Sequence, residues 1–142
     1  MQTTTQDILH KQKTSWNTFS SGWRTWDDFT MRFLAPQGAA IIDSLAPKDG
    51  DAVLDIATGT GDPGLSLAAQ RRRVHVTAID VSEGMLSIAN DKAAARGLPN
   101  FRAQLGDACD LDFEDESFDA ISCRLGFMFF PDPVGAAREM AR

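Results

Sequence analysis

Three glycines and a set of aspartates mark the place where this chain can do chemistry. Gly59, Gly61 and Gly64 follow directly on a β-like run, Val53–Ile56, and read G-x-G-x-x-G. Asp80 stands 21 residues after Gly59, at the end of a second run rich in β-branched residues. Glycines let backbone close on a ligand, and a carboxylate at that spacing can accept hydrogen bonds from two ribose hydroxyls. Read literally, the pattern is that of a dinucleotide site, and an NAD(P)-dependent oxidoreductase is one function it allows. Two acidic residues speak against a diphosphate. Asp55 lies inside the first run, where such a strand is usually apolar. Asp62 stands just before Pro63, at the opening of the next helix, and can fill the anion site there with protein charge. A ligand with a cationic amino-acid end suits these carboxylates better. A tight turn that binds nothing is the remaining alternative.

The elements that hold these residues alternate from residue 52 onward. Val53–Ile56 is a strand, and Pro63 opens a helix to about Gln70. Val74–Ile79 is a second strand. Ser82 caps a helix with Glu83 in its first turn, and Gly97 and Pro99 end it. Phe101–Leu105 and Phe118–Cys123 are a third and fourth strand, and Pro133 begins a last helix. This alternation predicts an α/β fold, a doubly wound parallel sheet. Upstream, residues 6–34 read as helical and aromatic. Trp16, Phe19, Trp23 and Trp26 fall at intervals of three and four, with a break predicted at Ser20–Ser21–Gly22. Pro36 is expected to open a short helix to about Leu45. Residues 1–48 thus form an N-terminal helical lid or substrate segment, and residues 49–142 the ligand-binding domain. The four aromatics either roof an apolar acceptor or pack onto the sheet.

Composition narrows the partners. The chain of 142 residues is 43% hydrophobic and 24% charged, as in an ordinary globular protein. Its net charge of −6 argues against a nucleic-acid partner, because phosphate backbones reward Lys and Arg. The run Arg71–Arg72–Arg73 is too short to change that. Two cysteines, Cys109 and Cys123, suggest neither a disulfide framework nor a metal cluster and fit a cytoplasmic protein. No apolar run approaches membrane-spanning length. His75 begins the second strand, so it is expected at the sheet edge opposite the glycine turn, and nothing places His10 near a substrate. No nucleophile, triad or general base stands out.

Four segments carry a resemblance. "VLDIATGTGD", "AIDVSEGML", "GDACDLDFEDESFDAI" and "CRLGFMFFPDP" occur in order over about residues 50–142. Together they resemble the class I S-adenosylmethionine-dependent methyltransferases, nearest the ubiquinone/menaquinone-biosynthesis-like branch that acts on small molecules. The resemblance implies a Rossmann-like sheet of strand order 3-2-1-4 and S-adenosyl-L-methionine as cofactor. It implies that Asp55, directly or through water, and the Ala57 carbonyl face the methionine ammonium. Gly59 and Gly61 let backbone lie against the cofactor. Asp80 takes the ribose hydroxyls, Val81 and Met85 flank the adenine, and Asp107 and the Ala108 amide bond its edge. Arg124 lines the pocket near the methionine end. Several of these have plainer alternatives: Asp55 as a turn cap, Met85 as core, Arg124 as the partner of a nearby carboxylate. Ala57 departs from the family, which usually has glycine there, and is expected to fit if its φ stays negative. Family members continue with further strands. The resemblance therefore implies a C-terminally incomplete chain of doubtful activity that self-associates through the open edge of its fourth strand. A non-catalytic cofactor-binding or assembly module is the other alternative.

Overall fold

The computed structural model describes residues 4–142. Two helices lead the chain, α1 (Thr5–Thr25) and α2 (Asp27–Leu45). There follow β1 (Ala52–Ile56), α3 (Gly64–Gln70), β2 (His75–Asp80), α4 (Glu83–Ala95), β3 (Phe101–Leu105) and β4 (Ala120–Cys123). A single 3-10 turn over Phe127–Phe129 precedes α5 (Pro133–Ala141). The strands form one parallel sheet in the order β3-β2-β1-β4.

Strand alternation sends side chains to both faces, and both are buried, as parallel sheets require. Val53, Val76 and Ala78 point to one face and pack with Leu65, Leu67 and Ala68 of α3 and Ala89 and Ala93 of α4. Leu54, Ile56 and Ile79 point to the other, against Ala108, Leu111 and Ala136. The in-register ladder puts Asp55 opposite Ala78 on one side and Ser122 on the other. The tips of β1, β2 and β3 therefore lie side by side, and the turn, Asp80 and Asp107 share one sheet edge.

The helical segment differs from the sequence expectation. Ser20–Ser21–Gly22 lies inside α1, where the Ser20 hydroxyl donates back to the Asn17 carbonyl at 2.8 Å and Thr25 to Ser21 at 3.0 Å. The break falls instead at Trp26 (φ −101°, ψ 11°), where Asp27 and Asp28 begin a new first turn. Pro36 sits within α2 rather than opening a helix. It lies on the exposed side, as does Arg32, so the carbonyl it leaves unbonded faces water. β4 begins at Ala120 rather than Phe118, whose ring packs edge-on against Phe113 at 4.9 Å.

Candidate functional site

The glycine turn is wound tightly after β1. Ala57 adopts φ +53°, not the negative value expected of it. Such a left-handed conformation costs a residue with a Cβ about 1–2 kcal/mol. The turn holds it: Thr58 N–H donates to the Ile79 carbonyl at 3.0 Å, and Gly61 N–H to Thr58 at 2.9 Å. Gly59 (φ +56°) and Gly61 (φ +107°) need their freedom, and at Gly61 a side chain would also collide with Leu65.

Asp55 is fully enclosed. Its Oδ2 accepts from Thr58 Oγ1 at 2.7 Å and Gly64 N at 3.2 Å, and its Oδ1 from Ser122 Oγ at 2.6 Å. One carboxylate thus joins β1, the turn, the start of α3 and β4. Burial pushes its pKa up to about 6, although all three hydrogen bonds pull the other way. It does not line the cavity beside the turn. Its three partners are all within the protein, and through them it shapes the turn.

Asp62 is occupied in a similar way. Its Oδ1 accepts from the Ser66 amide at 3.2 Å and the Ser66 hydroxyl at 2.6 Å. Its Oδ2 pairs with Lys92 Nζ at 3.2 Å, and Lys92 also pairs with Asp27 at 2.9 Å. Burial alone would raise the Asp62 pKa, but Ser66 and Lys92 together hold it below the ordinary aspartate value. The Gly64 and Ser66 amides at the opening of α3 are thus taken by protein carboxylates.

The second and third strand tips are open to the cavity. Asp80 accepts from Gly59 N and Ser82 N, both at 2.9 Å, which fixes its carboxylate with lone pairs to spare. Burial raises its pKa. Asp107 accepts from Cys109 N at 2.9 Å. Val81, Met85 and the buried Ala108 complete this wall.

The cavity these residues border encloses about 150 Å³. Of the residues singled out in the sequence, Ala57, Gly59, Asp62, Asp80, Val81, Met85, Asp107, Ala108 and Arg124 line it, and Asp55 and Gly61 do not. Among the four aromatics, Trp16 and Trp23 line it; Phe19 and Trp26 point to solvent, 61% and 65% exposed. His75 is exposed at the start of β2, at the far edge of the sheet from the glycine turn. Sequence reasoning missed Leu9, Gln12, Met31 and Leu34 from the helices and Thr60 and Phe130 from the loops. Gln12 carried a local signal, since it accepts from the Trp16 indole one helical turn on, at 3.1 Å. Trp16 in turn meets Phe129 edge-on at 5.2 Å, closing the helices over the loop after β4.

A parallel sheet with a glycine turn and acidic tips at one edge defines a Rossmann-like nucleoside-binding domain. Residues 53–142 match the family described as "Methyltransferase domain", and the chain belongs to that family, as a class I S-adenosylmethionine-dependent methyltransferase domain. It is 32% identical over 139 residues to aklanonic acid methyltransferase DauC of Streptomyces sp. (strain C5), covering 96% of this chain and 62% of that one. It is 41% identical over 90 residues to the demethylmenaquinone methyltransferase of Deinococcus radiodurans, covering 63% and 37%. Among solved structures it resembles a SAM-dependent methyltransferase from Aquifex aeolicus, with TM-score 0.66 and 26% identity over 74% of this chain and 56% of that one. The chain thus spans between about a third and two thirds of the length of these relatives.

Proposed function

We propose that this domain binds S-adenosyl-L-methionine and serves methyl transfer to a small, largely apolar acceptor. The observation that carries the reading is the state of the amides at the start of α3. A diphosphate needs free amides at a helix N-terminus, and here Asp55 and Asp62 already occupy two of them. An adenosyl group needs a ribose acceptor and an apolar slot instead. Asp80, Val81, Met85, Asp107 and Ala108 supply these along one wall. Asp80 would take the ribose hydroxyls, Asp107 and the Ala108 amide the adenine edge, and the Ala57 carbonyl with Gly59 the methionine end.

Bound there, S-adenosylmethionine supplies a methyl group already activated on sulfur. What the chain adds is alignment and exclusion of water. Residues 1–48 would serve as the lid, with Trp16, Trp23 and Leu34 facing the acceptor side. The names of the aklanonic acid and demethylmenaquinone methyltransferases above support a small, largely apolar acceptor, and a cytoplasmic setting fits such chemistry. Self-association would run through β4, an edge strand of the sheet; a clean monomer by light scattering counts against it.

Calorimetry separates this reading from the oxidoreductase alternative. S-adenosylhomocysteine should bind and NADH should not. Asp80→Ala should weaken S-adenosylhomocysteine by about 1–3 kcal/mol, the cost of hydrogen bonds to a charged group. NADH binding with no response to S-adenosylhomocysteine would overturn the proposal.

A further inference from the structure

Arg124 is the single basic residue among the described residues lining the cavity. It follows β4 directly, and its guanidinium is half-buried. Among the described residues no carboxylate stands within ion-pairing distance of it. Its polar contact is a thioether: Nη2 meets Met31 Sδ at 3.7 Å. The charges of Asp62 and Asp55 act on it, yet Asp55 is enclosed by Thr58, Ser122 and Gly64 and Asp62 is held by Ser66 and Lys92.

The surroundings leave this cation room and withhold its counterion. α2 passes it at Gly38, where a Cβ would stand only 3.4 Å from Arg124 Nη1. Arg124 pays for its position by desolvation, which draws its pKa below the ordinary arginine value. A guanidinium nonetheless stays charged in proteins, and its planar fork fits a carboxylate through two parallel hydrogen bonds.

We propose that Arg124 is the carboxylate receptor of this cavity. The proposal rests on the adenosyl reading of the site and deepens it. The carboxylate comes from one of two sources: the amino-acid end of the cofactor, or an acidic group on the methyl acceptor. Either way the guanidinium acts by holding an anion in an apolar chamber, so Arg124 is a binding and positioning group.

Calorimetry on the wild type, Arg124→Met and Arg124→Lys tests this with three probes. 5′-Methylthioadenosine carries the adenosyl thioether without the amino acid; S-adenosylhomocysteine carries both. 2-Naphthoate, added to the S-adenosylhomocysteine complex, stands for an acidic apolar acceptor. Methylthioadenosine should bind all three proteins within twofold, which also reports that the variants are folded. A tenfold or greater loss of S-adenosylhomocysteine in Arg124→Met, partly recovered in Arg124→Lys, assigns the cofactor's carboxylate. The same loss confined to naphthoate assigns the acceptor's. If neither carboxylate probe changes by more than twofold, or naphthoate fails to bind while S-adenosylhomocysteine is unchanged, the proposal is overturned. Failure of methylthioadenosine to bind the wild type instead removes the adenosyl reading, and the proposal with it.

Discussion

The two walls of the cavity are built on different principles. The sheet wall is made of strand tips rooted in apolar core: Leu54, Ile56 and Ile79 are all but inaccessible. The helical wall has almost no such root. α1 has no buried residue along its whole length, and α2 buries only Gly38 and Ile42. Polar contacts hold α1 to α4 instead. Asn17 Oδ1 accepts from Ser82 Oγ at 2.7 Å and Gly84 N at 3.0 Å, and Arg24 pairs with Asp91 at 2.8 Å in the open. Exposed pairs of this kind are worth under about 1 kcal/mol. Ligand pockets usually exceed about 300 Å³, and this cavity encloses about 150 Å³. The weaker rooting of the helical wall makes α1 the element expected to open first, and hydrogen exchange that is faster in α1 than in β1 would show it.

The largest effect should come where the walls are joined. Lys92 of α4 pairs with Asp62 of the turn and Asp27 at the start of α2, all three largely buried. Lys92→Met leaves two carboxylates without their cation and should cost about 3–5 kcal/mol in urea unfolding. A cost under about 1 kcal/mol would mean the walls are not joined there.

Within the sheet wall, Asp55 should give a pH signature. Its folded pKa of about 6 lies above the ordinary 3.8, so the folded state holds that proton more tightly than the unfolded chain. The stabilisation is complete below about pH 4 and lost as pH rises to about 6, on the order of 3 kcal/mol in all. Asp55→Asn has no such proton. Subtracting its stability profile from that of the wild type should leave a fall across that window; parallel profiles would refute the assignment.

The helical wall should respond more gently and separately. Asn17→Ala should cost about 1 kcal/mol and speed hydrogen exchange in α1 while β1 amides keep their protection. Equal acceleration in both would erase the distinction between the walls. The smallest change should be a gain. Ala57→Gly relieves the left-handed alanine and should raise stability by about 1 kcal/mol in thermal melts.

The same contrast explains what could be read in the sequence. β1, β2 and the Ser82-capped α4 were legible because each carries its own local signal: β-branched residues, a capping serine, a closing glycine; β3, FRAQL, has no β-branched residue and was legible only from the alternation of elements. Asp80 was legible because its spacing from Gly59 reflects one βαβ unit. The turn-capping role of Asp55 was open as an alternative, but its bond to Ser122 was not legible, because Ser122 lies 67 residues away and joins it only through strand pairing. Met31 and Leu34 carried no signal, since which face of α2 meets the cavity depends on where the helices bend. The bend does not fall at Ser20–Gly22, where the Ser20 hydroxyl donates to the Asn17 carbonyl and the Ser21 carbonyl accepts from the Thr25 hydroxyl, both within the helix.

The methyl group of Ala57 has one more effect. A Cβ at Gly126 would meet it at 2.5 Å, while the backbone of Gly126, at φ −98°, would suit any residue. Positions 57 and 126 therefore share a space that admits one methyl. In a diverging lineage, glycine at 57 has to come before any side chain at 126, and even then the Cys123 sulfur, 3.2 Å from a Cβ there, has to give way.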